Sequence, residues 1–273
     1  MSLIFQVSDT HFGTEQPHVV EALVRLARER RPDAVVMSGD ITQRARRRQF
    51  QAALAFVERL AAPATLVLPG NHDIPLFNLA ARLFRPYGNY CRAFGSDLEP
   101  VLESPDFLVV GVNTTRPRRH KIGEVSAAQI ARVAERLRAA KDEQLRIVVT
   151  HQPVHVIQPA DEKSLLRGSE RAVRAWADAG AELVMGGHIH LPYVTPLFER
   201  FSGLTRKVWI VQAGTAVSSR LRYHRANSVN LIGYRRDEKP RRCTVERWDY
   251  DLGSGRFEPG ERAELELDDA AGE

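Results

Sequence analysis

The chain has 273 residues, 43% of them hydrophobic and 27% charged, with a formal net charge of +5. That composition suits one folded domain of the size that α/β proteins reach and excludes a fibrous or largely disordered chain. No apolar run approaches the roughly 18–20 residues needed to cross a bilayer, so no membrane span is expected. The first residues, Met1-Ser2-Leu3-Ile4-Phe5-Gln6-Val7, lack a basic leader and read as a strand that starts at once. Two cysteines, Cys91 and Cys243, form neither a disulfide framework nor a CxxC pair, and a cytoplasmic location fits both facts. The positive balance allows phosphate-bearing partners, nucleic acid among them. Much of it is Arg on helix faces, such as Arg25, Arg28, Arg30 and Arg31, which a solvated surface explains equally well.

In chain order, short apolar runs of strand length end repeatedly in residues able to bind a metal. Leu3–Val7 leads to Asp9-Thr10-His11, and Ala34–Met37 leads to Gly39-Asp40. Thr65–Leu68 leads to Gly70-Asn71-His72-Asp73, Arg146–Val149 to His151, and Glu182–Met185 to Gly187-His188-Ile189-His190. Near-continuous Val/Ile/Leu runs suit strands buried on both faces. Helical stripes lie between them: Val19, Leu23 and Leu26; then Phe50, Leu54 and Val57; then Ile130, Val133 and Leu137 behind a capping box at Ser126–Gln129; then Val173 and Trp176, ended near Gly180. Strand alternating with helix predicts a sheet of βαβ units. The runs at 208–211, 229–232 and 244–248 have no helices between them and predict antiparallel strands, as a second sheet or one edge of it. From about Pro259 the chain turns acidic. Leu265 and Leu267 alternate with charge there and suggest a short edge strand before a frayed end. The expected organisation is a domain over 1–258 and an acidic tail over 259–273.

In open α/β sheets, ligands bind beyond the carboxyl ends of the strands. Five of the nine histidines (His11, His72, His151, His188 and His190) fall just past an apolar run, in company with Asp9, Asp40 and Asn71. Singly each is weak, since a His after a strand is as readily a buried hydrogen-bonding side chain. Together they form a ligand set. Imidazole with carboxylate suits borderline first-row metals, whereas all-oxygen sets suit Mg or Ca. Seven candidate ligands exceed one tetrahedral site and suffice for two ions sharing a carboxylate. Such a pair, roughly 3.5–4 Å apart, can clamp a phosphoryl group.

Asp9-x-His11, Gly39-Asp40, Gly70-Asn71-His72-Asp73, His151 and Gly187-His188-Ile189-His190, in this order, resemble the blocks of the calcineurin-like metallophosphoesterase family over about residues 3–215. The resemblance implies an α/β fold of two mixed β-sheets packed as a sandwich flanked by helices, with a dinuclear site at one sheet end. It implies that Asp9, His11 and His190 hold one metal and Asn71, His151 and His188 the other, with Asp40 bridging. The ions would be divalent or trivalent first-row transition metals such as Mn, Fe or Zn. It makes His72 a catalytic residue beside the substrate phosphate, protonating the leaving oxygen or stabilising the transition state as a metal-bridging hydroxide attacks in line. Asp73 would orient His72 or cap the turn. Ligand histidines must be neutral, so activity should collapse in mild acid.

Within that family, the compact length, the intact Asn71-His72-Asp73 block and the Asn113-Thr114-Thr115 segment followed by Gly123-Glu124 are similar to the bacterial class III cyclic-nucleotide phosphodiesterase-like branch. That implies a small phosphodiester substrate, cyclic nucleotides included. The loop Arg116–Lys121 would lie at the site mouth, with Arg119 and His120 as candidate substrate contacts; a solvated basic loop is the plainer reading. Arg44–Arg48 is a second basic cluster, and His155 could face the site or cap a turn. A nuclease, and a hydrolase of nucleotide-sugar or lipid-linked pyrophosphates, are alternatives of the same family. The first usually needs an added domain. The second is compared with enzymes that carry Arg in place of His72, and it needs an apolar chamber. Residues Leu76–Cys91 could form a helical cover over such a chamber, although core packing accounts for them as well. A non-catalytic scaffold would be expected to have lost ligands, and here all eight positions stand. The late strands leave a free edge as a route to oligomers, without fixing an oligomeric state.

Overall fold

The computed structural model describes residues 1–268. Its strands are β1 (Ser2–Val7), β2 (Ala34–Met37), β3 (Ala64–Val67), β4 (Val101–Glu103), β5 (Phe107–Gly111), β6 (Leu145–Val149), β7 (Leu183–Gly186), β8 (Tyr193–Pro196), β9 (Trp209–Gln212), β10 (Ser228–Tyr234), β11 (Arg242–Asp251) and β12 (Arg256–Glu266). The main helices are α1 (Pro17–Arg30), α2 (Arg47–Leu60), α3 (Leu79–Phe84), α4 (Gly88–Phe94), α5 (Ala127–Arg138) and α6 (Ser169–Asp178). The strands make two mixed six-stranded sheets, in the orders β12-β11-β10-β1-β2-β3 and β4-β5-β6-β7-β9-β8.

Period-2 alternation explains the layering. In β2, Val35 and Met37 face α1 and α2, while Ala34 and Val36 face the second sheet. In β6, Leu145, Ile147 and Val149 face the first sheet, and Val148 packs toward α5 and α6. Both faces of these strands look at hydrocarbon, so residues of either parity must be apolar, which is why the runs are continuous rather than alternating. The result is helix, sheet, sheet, helix, with three apolar layers between them.

Two polar features interrupt the layer between the sheets. Beneath the site, Gln6 on β1 donates through Nε2 to the Gly186 and Val211 carbonyls (3.0 and 3.3 Å), and Asn230 on β10 donates to Gln6 Oε1 (2.9 Å) and to the Gln212 carbonyl (3.2 Å). Gln212 in turn donates to the Gly187 carbonyl. All three amides are buried. At the opposite end of the parallel strands, the buried Arg241 guanidinium pairs with buried Glu182 and donates to the Gln144 carbonyl (3.2 Å) and Tyr234 Oη (3.1 Å). Burial raises the Glu182 carboxyl above its ordinary value even against the Arg241 charge.

The structure corrects several expectations. The run at 208–211 does not join the late antiparallel strands: β9 pairs in parallel with β7, from Leu183↔Trp209 to Gly186↔Gln212. β10, β11 and β12 instead extend the first sheet. β12 starts at Arg256 and pairs along β11, so the expected boundary between 258 and 259 lies inside a strand. The last residues of the acidic tail, 269–273, lie outside the described residues. The buried stripe of α2 is Phe50, Ala53, Phe56 and Leu60, with Leu54 and Val57 only half-buried. The capping box at Ser126 is present: its hydroxyl accepts from Gln129 N (3.2 Å), and Gln129 Oε1 accepts from Ser126 N (3.0 Å). Among the described residues, no helix is long and apolar enough to cross a membrane.

Removing one member of the buried ion pair should cost more than removing both. Arg241→Met strands the Glu182 charge and is expected to destabilise the chain by about 3–5 kcal/mol. The double variant Arg241→Met/Glu182→Met should regain much of that in urea titrations. Equal losses in single and double variants would show that the pair is not the relevant contact.

Candidate metal centre

The strand ends converge where β1, β2 and β3 of one sheet meet β6 and β7 of the other. Backbone pairing continues past the strands: Asp9 N donates to Gly39 O (3.0 Å), His11 N to Asp40 O (2.9 Å), and Gly187 N to His151 O (2.9 Å). Asp9, His11, Asp40, His188 and His190 all have left-handed backbone conformations, with φ between 43° and 73°. This geometry turns each chain back on itself just past its strand and aims the side chain across the sheet end. At Gly39, φ is +100° and a Cβ would strike the His151 ring; at Gly187 a Cβ would strike Ser8 Oγ. These two glycines let the loops approach as closely as the site requires.

All seven candidate ligands meet there. Asp9, His11 and His190 form one group with ligand atoms within 4.8 Å of one another; Asp40, His151 and His188 form a second; His11, Asp40 and His72 form a third that overlaps both. His11 Nε2 lies 3.0 Å from His190 Nε2 and 3.7 Å from Asp40 Oδ2, and His190 Nε2 lies 3.2 Å from Asp9 Oδ1. His151 Nε2 lies 3.3 Å from Asp40 Oδ1 and 3.2 Å from Asn71 Oδ1. The rings are oriented from behind. His151 Nδ1 faces the Ser38 carbonyl (2.9 Å) and His190 Nδ1 the Arg220 carbonyl (2.6 Å). Each Nδ1 therefore carries the proton, and each Nε2 turns a lone pair inward when the ring is neutral.

The donor set fits bound cations. Asp9 Oδ1 and His188 Nδ1 are buried without a hydrogen-bond partner. Buried polar atoms are rarely left so, and both are lone-pair atoms facing other lone-pair atoms. Two imidazole nitrogens and a carboxylate oxygen, those of His11, His190 and Asp9, lie within 4 Å of one another and repel unless protons or cations intervene. Borderline first-row metals match this nitrogen and oxygen mixture.

The electrostatics follow from burial and proximity. Burial alone would raise Asp9, but the adjacent His190 outweighs it and holds the carboxyl at about 2. Asp40 is likewise held well below the carboxylate range by His151, His72 and His11, against its burial. Burial dominates His11 and His188, placing the first well below the ordinary value and the second at about 3. His151 goes the other way: burial would lower it, but Asp40 outweighs burial and lifts it to about 9.

His72 stands at the rim, half-buried. Its backbone N donates to Asp40 Oδ1 (2.8 Å) and its Nδ1 faces the Gln43 carbonyl (3.0 Å), so Nε2 faces the centre. Asp73 does not orient His72. Its carboxylate accepts from the backbone N of Gly70 (2.8 Å), Ile41 (3.0 Å) and Thr42 (2.8 Å), clamping the 70–73 turn onto the loop that carries Asp40. Burial and the Asp40 charge push Asp73 up to about 7, against those donors.

Sequence reasoning missed Arg220. Its Nη1 lies 3.3 Å from both His72 Nε2 and His11 Nδ1, and donates to Gln43 Oε1 (2.9 Å). It sits in a loop with no strand or spacing signal to single it out. Arg222 was also missed: it donates to the Ile189 carbonyl (3.0 Å) and pairs with the buried Asp161 (3.0 Å), pinning the 187–190 loop. The centre opens into a cavity of about 730 Å³ that Arg119, His120, Lys121, Lys163, Arg220 and Arg222 help to line. The expected substrate contacts, Arg119 and His120, are thus at the mouth. The His120 and His72 ring centroids are 6.4 Å apart, and Arg119 pairs with Glu124 (3.1 Å). The exposed cluster Arg44–Arg48 (all but the buried Ala45) and His155 are not among the cavity-lining residues.

Comparison with known proteins bears on the family and the fold. The profile of the calcineurin-like phosphoesterase family matches residues 2–192. A dimetal phosphatase from Danio rerio superposes with a TM-score of 0.65 at 14% identity, covering 98% of this chain and 99% of its own. A purple acid phosphatase from yellow lupin (Lupinus luteus) seeds gives 0.72 at 11% identity, over 97% of this chain and 53% of that one. Vacuolar Protein Sorting 29 from Cryptosporidium parvum gives 0.51 at 14% identity, over 97% and 98%. At such identities the likeness is one of fold. Compared with curated proteins, the chain matches none. The family profile covers well over half of the chain, and the two-sheet fold carries the profile's blocks on its strand ends: the chain belongs to the calcineurin-like phosphoesterase family.

Proposed function

We propose that this chain is a dinuclear-metal phosphodiesterase acting on small phosphodiesters, cyclic nucleotides included. The observation that carries the reading is the pair of ligand groups linked by His11 and Asp40 at the floor of a cation-lined cavity. Asp9, His11 and His190 would hold one ion, Asn71, His151 and His188 the other, and Asp40 both. Bound there, the cations supply charge neutralisation for a phosphoryl group and acidification of water.

The chain's own residues supply the rest. Arg220 and Lys163 at the mouth attract and orient an anionic phosphate, and Arg220 offers a planar donor pair. His72 Nε2, held in place by the Gln43 carbonyl at the opposite ring nitrogen, points at the centre, where a proton on it can pass to a departing ester oxygen. A diester needs such an acid because its leaving alkoxide is poor. Ser38 and Arg220, through their carbonyls, keep the His151 and His190 rings in the tautomer that turns Nε2 inward.

The test is hydrolysis of an aryl phosphodiester, an aryl monoester and a cyclic nucleotide after chelation and reloading with Mn, Fe or Zn. Diester turnover should return with metal, and turnover of the cyclic nucleotide, whose leaving group is an alkoxide, should fall about 10²–10⁴-fold in His72→Ala, with two ions still bound. Faster turnover of the monoester would overturn the diester reading, and a chain that neither binds metal nor turns over any ester would overturn the site.

Chelation should also change how stability depends on pH. His11 and His188 are neutral in the fold and titrate below the ordinary histidine value of about 6.5. Below that pH the unfolded chain takes up protons that the folded chain refuses, so stability falls with acid. His151 has the opposite sign: its folded pKa of about 9 gives stability that is complete below about 6.5 and lost as pH rises through 9. Thermal melts of the chelated chain should therefore peak near pH 6.5, and metal should stabilise it more on the alkaline side. A melting temperature that climbs steadily from about pH 6 to 9 without metal would contradict this.

A further inference from the structure

Asp161 is a fully buried carboxylate outside the ligand set. The turn Pro159–Ser164 carries it, and that turn holds no candidate ligand. Burying a carboxylate is costly unless its lone pairs are answered. Two side chains of one loop answer it. Arg222 Nη2 donates to Asp161 Oδ1 (3.0 Å), and Tyr223 Oη donates to Asp161 Oδ2 (2.8 Å). Arg222 Nη2 also donates to Tyr223 Oη (3.2 Å), so the three groups close a triangle. Arg222 is 40% exposed and Tyr223 37%, and both could turn to water; the buried acid has no such alternative.

The loop at 220–224 meets the metal centre at three points. The Arg220 carbonyl faces His190 Nδ1 (2.6 Å), and the Arg220 guanidinium reaches His11 and His72 (3.3 Å each). Arg222 Nη1 donates to the Ile189 carbonyl (3.0 Å), between His188 and His190. The backbone of the loop does not favour this shape. Tyr223 and His224 are consecutive non-glycine residues with φ of 53° and 54°. Left-handed residues of this kind persist only where their surroundings hold them, and they gather at functional sites. One end of the loop is fixed by Ser219 N, which donates to Thr14 O (2.9 Å), and by Ser218 Oγ, which accepts from Arg220 N (3.2 Å). Beyond Arg220, the side chains of Arg222 and Tyr223 tie it down, and two of their three bonds to other segments end on Asp161.

Asp161 thereby joins three segments that together wall one side of the cavity. Its own turn contributes Lys163 and Ser164, the ligand turn His188 and His190, and the loop Arg220 and Arg222. Arg222 suits the junction because its planar fork serves two acceptors at once, Ile189 O through Nη1 and the carboxylate through Nη2.

We infer that Asp161 is a positioning residue: by fixing Arg222 and Tyr223 it holds the 220–224 loop against the turn 187–190, and so sets how firmly His188 and His190 are presented to a metal. The inference rests on the metal centre proposed above. Asp161 acts through Arg222 and would itself hold no ion.

The test titrates the chelated chain with cobalt(II), read by calorimetry and by the visible absorption of the bound ion, which reports its coordination. Asp161→Asn keeps the shape and one acceptor, and removes the charge and the second acceptor. Cobalt affinity should fall about 10–100-fold, as for other groups that orient metal ligands from behind, and the spectrum should change. Arg222→Gln should do the same, and it carries the test if the buried asparagine prevents folding. Arg222→Lys keeps the charge but cannot reach Asp161 and Ile189 together, so it should not restore affinity. Because Asp161 works through Arg222, the double variant Asp161→Asn/Arg222→Gln should bind cobalt no more weakly than the weaker single variant. A role confined to stability would lower the melting temperature of the chelated chain and leave affinity and spectrum unchanged, which overturns the proposal. Parental affinity in Arg222→Lys, or losses that multiply in the double variant, also overturn it. A parent chain that binds no cobalt overturns the metal centre and the proposal together, whereas variants that match a cobalt-binding parent overturn the proposal alone.

Discussion

Two carboxylates buried at a seam between sheets govern this structure. Asp9 and Asp40 are almost wholly out of water and sit among imidazoles. A charge there is costly unless cations and donors answer it from all sides. Much around the centre is part of that answer. His188 N donates to Asp9 Oδ2 (2.9 Å), His72 N to Asp40 Oδ1 (2.8 Å), and Ser8 Oγ to Asp9 Oδ2 (2.7 Å). The loops that bring these donors must be short and sharply turned, so the sheets must present their strand ends at one level.

The backbone carries a cost for this. Five candidate ligands sit in a left-handed region that non-glycine residues avoid, at about 1 kcal/mol or more each. A lone turn would relax. These are held between parallel strands with three apolar layers behind them, and each loop is tied to its neighbour by backbone hydrogen bonds. The large core is thus the counterweight to a strained rim, and the strain falls where the side chains must be aimed.

The parts legible in the sequence were those written locally. An apolar run followed by Gly-Asp or Gly-x-His states both the strand and the residue at its end, and each such block lies within about ten residues. The βαβ layout, the two sheets and the convergence of Asp9, Asp40, Asn71, His151, His188 and His190 follow from those blocks and the family they resemble. What was not legible is long-range. Arg220 meets His72 across 148 residues, with no period or motif leading to it. The Val208–Val211 run carries no mark of parallel or antiparallel partner; its place beside β7 is set by how the chain crosses over, not by composition. Leu79, Leu83 and Phe84 read equally as core or as surface, because exposure depends on what the rest of the fold lays against them. Asp73 read as a cap of its own turn or a helper of His72; it caps the turn at Gly70, and what the sequence did not show is that it also clamps the previous loop, 31 residues upstream.

The amide chain of Gln6, Asn230 and Gln212 gives the centre a tolerance. Asp9, His11, Asp40 and Asn71 ride on one sheet; His151, His188 and His190 ride on the other. Two faces joined by hydrocarbon alone can glide, since methyl groups grip about as well after a small slip. The amides cannot: sliding by one strand residue, about 3.3 Å, would break their bonds together and leave dry polar groups behind. The two halves of the ligand set are therefore indexed to one another with the accuracy of a hydrogen bond: the approach of His190 to Asp9 and His11, and of His151 to Asp40 and Asn71, is a property of the sheet interface, laid down two strand residues below the loops.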